Sequence, residues 1–520
     1  MNVIEDTVVH MSIASKDVEL LVGHIDRVEV LNDNGNTAEV LVYWGLPEMQ
    51  RLTRMYGSAP CPMEKDYDWP GLYKPFAHQA VTASFLALRD RAFCFNEAGT
   101  GKTSSVIWAA DYLMNQGLVK RVLVICPLSI MYSAWQADIF KTAMHRTVGV
   151  AHGDNSRRKK IITGEYEFVI INFDGVATVA EDIGKVGFDL IVIDEANAYK
   201  TVSTKRWKTL AKLLTPSTRL WMLTGTPASQ SPLDAYGLAR LINPGAVPKF
   251  FGPWRDRVMY PVSRFKWVPK ASAKAEVHRA LQPAIRFEKA DCLDLPEVMY
   301  QTRHVPLTPQ VNRYYRILRD QLLMEAAGEQ ISAVNAAAKL SKLLQISGGA
   351  VYSDDKEVIE FDVSPRLNTL MEVIEETTNK VLVFVPFRHT IELVGNFLKE
   401  QGVSNEVING DVSASSRADI INRFQTNEHP RVLIIQPQAA SHGVTLTAAD
   451  TVVFWSPVMS VETYLQCIAR IDRVGQKNSM TVVHLQGSEV EHKIYTMLQG
   501  KVDMHESLVD LYKQELGIAR

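Results

Sequence analysis

The stretch Phe93-Cys94-Phe95-Asn96-Glu97-Ala98-Gly99-Thr100-Gly101-Lys102-Thr103 passes from an apolar run through two glycines to a lysine and a threonine. A helix-like segment, Ser104 to Met114, follows at once. Glycines let a backbone approach an anion closely, free amides at a helix N-terminus point at it, and Lys102 adds a positive charge. That is the chemistry of a loop that wraps phosphates, with Ala98, Gly99, Thr100 and Gly101 as its wall. The Thr103 hydroxyl stands where a Mg²⁺ ligand is needed. The strict pattern wants glycine at position 96, and this chain has Asn96.

Three further stretches carry residue types that would complete such a site. Leu190-Ile191-Val192-Ile193-Asp194-Glu195-Ala196-Asn197 is an apolar run ending in two acids. Asp194 would hold the metal through water and Glu195 would polarise an attacking water. Acid pairs also end ordinary surface strands, so this reading gains its weight from the loop upstream. Leu223-Thr224-Gly225-Thr226-Pro227 offers two hydroxyls, either as a plain strand-to-turn junction or as a relay from the nucleotide site. Gln466-Cys467-Ile468-Ala469-Arg470-Ile471-Asp472-Arg473-Val474-Gly475-Gln476 sets Arg470 and Arg473 three apart, on one face if the segment is helical. Guanidiniums delivered to a γ-phosphate are worth roughly 10³–10⁵ in rate. A solvated helix with an Asp472 ion pair is the plain alternative.

The elements that must carry these residues are legible as short apolar runs. Arg121–Cys126, Phe168–Ile171, Leu190–Ile193 and Leu220–Leu223 form one set, alternating with helix-like stretches. Continuous β-branched and aliphatic runs fit strands buried on both faces, hence a parallel sheet in an α/β layout. The pattern stops over residues 245 to 300, which are rich in proline, aromatic and basic residues. Val311–Glu325 and Ala333–Gln345 read as helices. It resumes with Lys380–Val385, Glu406–Ile408, Arg431–Ile435, Thr451–Phe454 and Met480–Val483. Ahead of both sets, Val28–Leu31 and Ala38–Trp44 flank Asn32-Asp33-Asn34-Gly35-Asn36, a hairpin signal. The last 30 or so residues read as amphipathic helix packed on the second α/β set.

The totals set the frame. A chain of 520 residues exceeds one ordinary core, so two to four domains are expected. The formal net charge of −2 excludes a globally basic nucleic-acid binder, so a basic surface would have to be local. Five cysteines, Cys61, Cys94, Cys126, Cys292 and Cys467, show no paired ligand spacing, which favours buried thiols in a reducing compartment over disulfides or zinc. No run approaches the ~18 apolar residues of a membrane span. The expected location is intracellular.

Taken in order, these segments resemble the motifs of the Swi/Snf-type ATPases of helicase superfamily two, from about residue 73 to about 500. Tyr73 to Gln79 is similar to the segment whose glutamine reads adenine, which adds Gln79 to the nucleotide set. Ala98 to Thr103 matches the first motif, with Asn96-Glu97-Ala98 where the family usually has aspartate-glutamate-methionine. Cys126-Pro127 and Leu128 fit the next, on the DNA-facing side. Asn197 replaces the usual histidine after the acid pair. Arg286 to Pro296 resembles a stretch peculiar to this family, and Thr308 to Tyr315 the helix start that follows it. In the second half, Asn409-Gly410-Asp411 with Arg417 and Phe424, then Ser441 to Ala449, then Gln466 to Gln476 fit the later motifs. Asp472 stands where histidine is usual. This adds Gly443 and Gln466 to the nucleotide-binding candidates.

The resemblance implies an α/β protein of two RecA-like parallel-sheet lobes, with a helical insertion and a small N-terminal β-rich module. The expected division is 1–70 for the accessory module, 71–245 for the first lobe, 246–365 for the insertion, 366–485 for the second lobe and 486–520 for a C-terminal helical segment. It implies an enzyme that uses ATP and Mg²⁺, with Lys102, Glu195, Arg470 and Arg473 catalytic and Thr103 and Asp194 on the metal. The activity implied is an ATP-dependent motor on double-stranded DNA. A strand-separating or branch-migrating helicase, and a nucleotide-gated DNA-binding subunit of a larger complex, stay open beside it. Arg157-Arg158-Lys159-Lys160 and Arg264 to Lys274 are the candidate DNA-contacting patches, or else solvated loops. Residues 1–70 are a structural cap on the next domain, a DNA contact or a docking site for a protein partner. No membrane is implied, a monomer is expected, and a bacterial or viral-host cytoplasm is favoured over a nucleus.

Overall fold

The computed structural model describes residues 1–225, 227–228, 231–262, 267–292, 295–326, 333–352, 358–440 and 445–500. The chain forms two compact units, the first comprising Met1–Ala228 and Pro232–Cys292, the second the remainder. Among the described residues no helix is long and apolar enough to cross a membrane.

The first unit opens with four strands, β1 (Asn2–Ile4), β2 (Val8–Ala14), β3 (Val28–Asp33) and β4 (Thr37–Tyr43), in an antiparallel sheet of order β1-β2-β4-β3. The hairpin read from sequence is β3–β4, with Gly35 at φ +84° in its turn, a region glycine enters without strain. Period-two alternation puts Val9, Met11, Ala38, Val40 and Val42 on one face. That face joins the same apolar cluster as Ala83, Leu86, Val106 and Trp108 of the larger sheet's helices. Polar bonds fix the seam: Gln50 Nε2 donates to the Ala87 carbonyl at 2.7 Å, the Tyr67 hydroxyl to Asp111 Oδ2 at 2.6 Å, and Trp108 Nε1 to the Pro70 carbonyl at 3.1 Å. Residues 1–70 thus form one wall of the first unit's core.

Seven strands make the main sheet of this unit: β5 (Arg91–Cys94), β6 (Val122–Cys126), β7 (Val148–Ala151), β8 (Phe168–Asn172), β9 (Leu190–Asp194), β10 (Arg219–Leu223) and, beyond a β11–β12 hairpin (Met259–Pro261, Trp267–Pro269), β13 (Ala284–Ile285). Their order is β13-β5-β10-β9-β6-β8-β7, with every pairing parallel. β6 and β8 are buried at all five positions, which is why they read as unbroken apolar runs rather than alternating ones.

The second unit repeats the plan with β14 (Val298–His304), β17 (Lys380–Phe384), β18 (Asn405–Ile408), β19 (Val432–Ile435), β20 (Ala449–Phe454) and β21 (Met480–Gln486). The order is β14-β21-β20-β17-β19-β18, again parallel throughout, with a small β15–β16 hairpin (Ala350–Tyr352, Val358–Glu360) outside it. The stretch expected as one largely helical insertion, 246–365, is divided. Its first part gives edge strand β13 to the first sheet, and β14 lines the edge of the second. The helices expected at 311–325 and 333–345 are present as Pro309–Ala326 and Ala333–Gly348. Most of the expected C-terminal helix, from 501 on, lies outside the described residues, whereas Glu489–Gln499 is helical.

Candidate nucleotide site

Parallel strands deliver the loops at their C-terminal ends to one edge of a sheet, and ligands of open α/β sheets bind there. In the first unit β5, β10 and β9 are adjacent, and their last residues are in register: Cys94 beside Leu223, and Leu223 beside Asp194. The glycine loop, the Thr224-Gly225 turn and the Asp194-Glu195 pair therefore leave the sheet side by side. Thr224 N–H donates to the Cys94 carbonyl at 3.1 Å. A β-carbon at Gly225 would stand 3.5 Å from the Ala98 nitrogen, so this turn lies against the loop. Thr226 lies outside the described residues.

The loop itself has the backbone the sequence asks for. Gly99 and Gly101 sit at φ +87° and +80°. At Gly101 a β-carbon would also stand 2.0 Å from Gln79 Nε2, so a side chain there would be strained and would push the Gln79 amide off the Thr100 carbonyl. The helix Lys102–Asn115 begins directly after it, which presents its first amides to the loop. Lys102 Nζ donates to the carbonyls of Asn96 at 2.7 Å and Glu97 at 3.0 Å. Thr103 is half-buried at the helix start. Gln79 is buried below the loop: its Nε2 donates to the Thr100 carbonyl at 3.1 Å and its Oε1 accepts from Phe76 N–H at 3.0 Å. His78 Nε2 meets the same Thr100 carbonyl at 2.9 Å.

The acid pair is held as firmly. Trp135 Nε1 donates to Asp194 Oδ2 at 2.9 Å, and Glu195 N–H donates to Asp194 Oδ1 at 3.0 Å. Burial raises the Asp194 carboxyl above the usual carboxylate range, against the opposing pull of the Trp135 hydrogen bond and the Lys102 charge. Trp135 is fully buried in a wide i→i+5 turn, Met131–Gln136, of a kind found often at functional sites. Glu195 adopts φ +53°, ψ +59°, a strained conformation for a residue with a side chain. Among the described residues no three His, Cys, Asp or Glu side chains gather as a metal cage. One hydroxyl (Thr103) and one carboxylate (Asp194) are the hard-oxygen donors expected for Mg²⁺ that keeps waters and phosphates as its other ligands.

In the second unit the structure corrects one expectation. Arg470 and Arg473 do not share a helical face, because the helix Val461–Ile468 ends before either of them. Its last turn gives way to a run of tight turns: Arg470 N–H bonds the Cys467 carbonyl at 3.2 Å and Arg473 N–H the Ile471 carbonyl at 3.0 Å. Gly475 at φ +99° closes the run. Arg470 is 5% exposed, with Nε on the Gln466 carbonyl at 2.7 Å, whereas Arg473 is half-exposed. Gln466 is half-buried on the helix, its Nε2 at 3.4 Å from Glu462 Oε1. Gly443 lies outside the described residues, as does the start of the Arg264 to Lys274 patch. Arg157, Lys159 and Lys160 are exposed on the helix Asn155–Thr163, with Lys159 paired to Asp182 at 3.2 Å.

The structure therefore brings Gln79, Ala98–Thr103, Asp194 and Glu195 together in the first unit and groups Gln466, Arg470 and Arg473 in the second. Sequence reasoning missed Trp135 and the partners of Asn96. For Trp135 nothing in the sequence pointed to an acid 59 positions away. For Asn96 the departure from glycine was itself the signal.

Comparison with known proteins shows the family. Residues 78–348 match the family described as SNF2-related domain, and residues 365–475 match the helicase conserved C-terminal domain. Protein p41 of Acyrthosiphon pisum secondary endosymbiont phage 1 is 26% identical, over 77% of this chain and 88% of its own length. The mouse chromodomain-helicase-DNA-binding protein 1-like is 25% identical over 80% of this chain. This chain spans 47% of that relative's length. The solved SWI2/SNF2 ATPase core of Sulfolobus solfataricus in complex with dsDNA is 23% identical and covers 86% of this chain and 95% of its own, with a TM-score of 0.43.

Proposed function

This chain belongs to the SNF2-related family and is an ATP-dependent enzyme of helicase type, and we propose that it is a duplex-DNA-stimulated ATPase that translocates along DNA. The observation that supports this best is the flush edge of β5, β10 and β9, where the glycine loop, the Thr224-Gly225 turn and the acid pair emerge together. Lys102 and the amides following Gly101 take the β- and γ-phosphates of ATP. Glu195, aimed by its strained backbone, draws the proton from the attacking water. Thr103 and Asp194 would hold Mg²⁺, whose charge, when present, offsets that of the phosphates. Trp135 Nε1 on one Asp194 oxygen and Glu195 N–H on the other fix the rotamer of that carboxylate. From the resemblance, Arg473 offsets charge that develops in the transition state, and its partial exposure suits that role better than the burial of Arg470.

Duplex DNA is proposed as the activator because relatives over this part of the chain are named DNA-binding helicases. The binding term should come from phosphates and so weaken with salt. The deciding experiment is the ATPase rate of the purified protein with single-stranded, duplex, forked and RNA substrates over a range of salt. Stimulation by duplex DNA, with displacement of a triplex-forming strand and no unwinding of a blunt duplex, is expected. Equal rates with and without duplex DNA would overturn the proposal, and efficient separation of forked strands would replace translocation with unwinding.

A further inference from the structure

Asn96 is 1% exposed, and each half of its carboxamide has a partner on a different element. Nδ2 donates to Thr82 Oγ1 at 2.9 Å, on the helix Ala77–Ala87. Oδ1 accepts from Phe287 N–H at 3.0 Å, on the strap that follows β13. The Thr82 hydroxyl gives its one proton to the His78 carbonyl at 2.7 Å, so toward residue 96 it can only accept. The Phe287 amide can only donate. Position 96 must therefore give a proton on one side and take one on the other. A carboxamide does both, and an ionised carboxylate of the same shape does not.

The strap is tied down further. Phe95 N–H bonds the Ile285 carbonyl at 2.8 Å, Glu97 N–H the Phe287 carbonyl at 3.0 Å, and Lys289 N–H donates to Glu97 Oε2 at 3.1 Å. Asn96 is the one residue of this set whose side chain spans from the strap to the helix that carries Gln79. Its own carbonyl is also one of the two that hold Lys102 Nζ. We propose that Asn96 is a positioning residue for ATP: its carboxamide clasps the mouth of the phosphate loop between the helix Ala77–Ala87 and the strap, and so sets where Lys102 and the loop amides stand. The inference rests on reading that loop as the ATP site.

The test is binding of the fluorescent analogue mant-ATP to the full chain between pH 6 and pH 8.5, each variant taken as a ratio to wild type at the same pH. In N96D at pH 8 an ionised carboxylate faces the Thr82 lone pairs, and affinity should fall at least ~5-fold, as for a buried acceptor left without its proton. Protonation of the carboxyl at low pH returns an O–H donor to position 96, so any recovery of the ratio toward wild type should come on the acid side. The other charged or titratable groups around the clasp are His78, Glu97, Lys102, Arg286 and Lys289, and the ratio removes their shared titration. N96A should lose affinity by the same factor at every pH. N96D should cost less in a Thr82→Val background, where the opposing lone pairs are gone. Should N96D not fold, the single variants decide: Thr82→Val should weaken mant-ATP binding ~3-fold or more, and Thr82→Ser should stay near wild type. An N96D within 2-fold of wild type at pH 8, or equal affinity for Thr82→Val and Thr82→Ser, would overturn the proposal. A wild-type protein that does not bind mant-ATP would overturn instead the assignment of the site.

Discussion

The two units share a sheet plan and differ in where they place their buried polar groups. The first gathers one set at the C-terminal edge of the sheet, where Gln79, Asn96, Thr100, Lys102 and Asp194 are all engaged in bonds that hold loops, and buries a second, around Asp111, at its seam with residues 1–70. The second places them inside. Arg366 and Glu491, 1% and 0% exposed, form an ion pair in which Arg366 Nη2 reaches both carboxylate oxygens, at 2.9 and 2.8 Å. Glu491 also accepts from Gly487 N–H, Ser488 N–H and Ser347 Oγ, which ties its helix to β21 and to the helix Ala333–Gly348. His484 lies wholly buried among Phe454, Tyr464 and Tyr495. The first unit thus has a cluster of polar bonds at its loop edge as well as in its core, whereas the Arg366–Glu491 cluster of the second only fixes a core. Mutations at matched depth should therefore fail in different ways.

The largest effects belong to the first unit and should appear in turnover with the fold retained. Lys102→Ala should abolish hydrolysis through loss of phosphate binding. Glu195→Gln should keep mant-ATP binding while turnover falls ~1000-fold or more, the scale expected when the group that orients or activates the water is lost. Glu195→Gln with near-normal turnover would remove the acid pair from the mechanism. Arg473→Ala comes next, with nucleotide affinity retained and turnover cut at least ~100-fold. Single-turnover kinetics with mant-ATP separates the two readouts, and a change in affinity alone would take Arg473 out of the reaction. The third belongs to the core of the second unit: Glu491→Ala strands a buried guanidinium and should cost about 3–5 kcal/mol in denaturant midpoint analysis. A smaller loss with Arg366 and Glu491 replaced together by Met and Leu would show that the pair confers specificity more than stability.

Much of this was legible in sequence, for a reason that also marks its limit. Strands buried on both faces of a parallel sheet must be apolar at every position, so β6, β8, β9, β10, β17, β19 and β20 announced themselves. The glycine loop was legible because Gly99 and Gly101 are needed for φ above zero. Edge strands β7, β13 and β14 were missed, since an edge has one partner and makes less demand for a continuous apolar run: Val148–Ala151 is buried at alternate positions and Val298–His304 is mostly exposed. The helical spacing of Arg470 and Arg473 misled because three residues apart means one face only while the helix lasts, and this one ends at Ile468. Asn96 and Trp135 act through partners far off in the chain, where local pattern carries no information.

The smallest effect is a pH dependence that should appear in the second unit. Burial pushes the His484 imidazole down to about 4, and its Nδ1 has no hydrogen-bond partner among the described residues, while Nε2 meets the Tyr464 hydroxyl at 2.9 Å. In the unfolded chain the same ring titrates near ~6.5. Above that pH both states are neutral and the residue is silent. Between ~6.5 and ~4 the unfolded chain binds the extra proton, so stability must fall as pH falls, by about 3 kcal/mol in all, and level off below the folded value. His484→Gln keeps a partner for Tyr464 but has no such titration. The difference between wild-type and His484→Gln stability, measured by urea unfolding at pH steps from 7.5 to 4, should be flat above ~6.5 and slope through the window below it. An equal slope in both proteins would place the acid sensitivity elsewhere, with the carboxylates of the loop edge in the first unit as the next groups to replace.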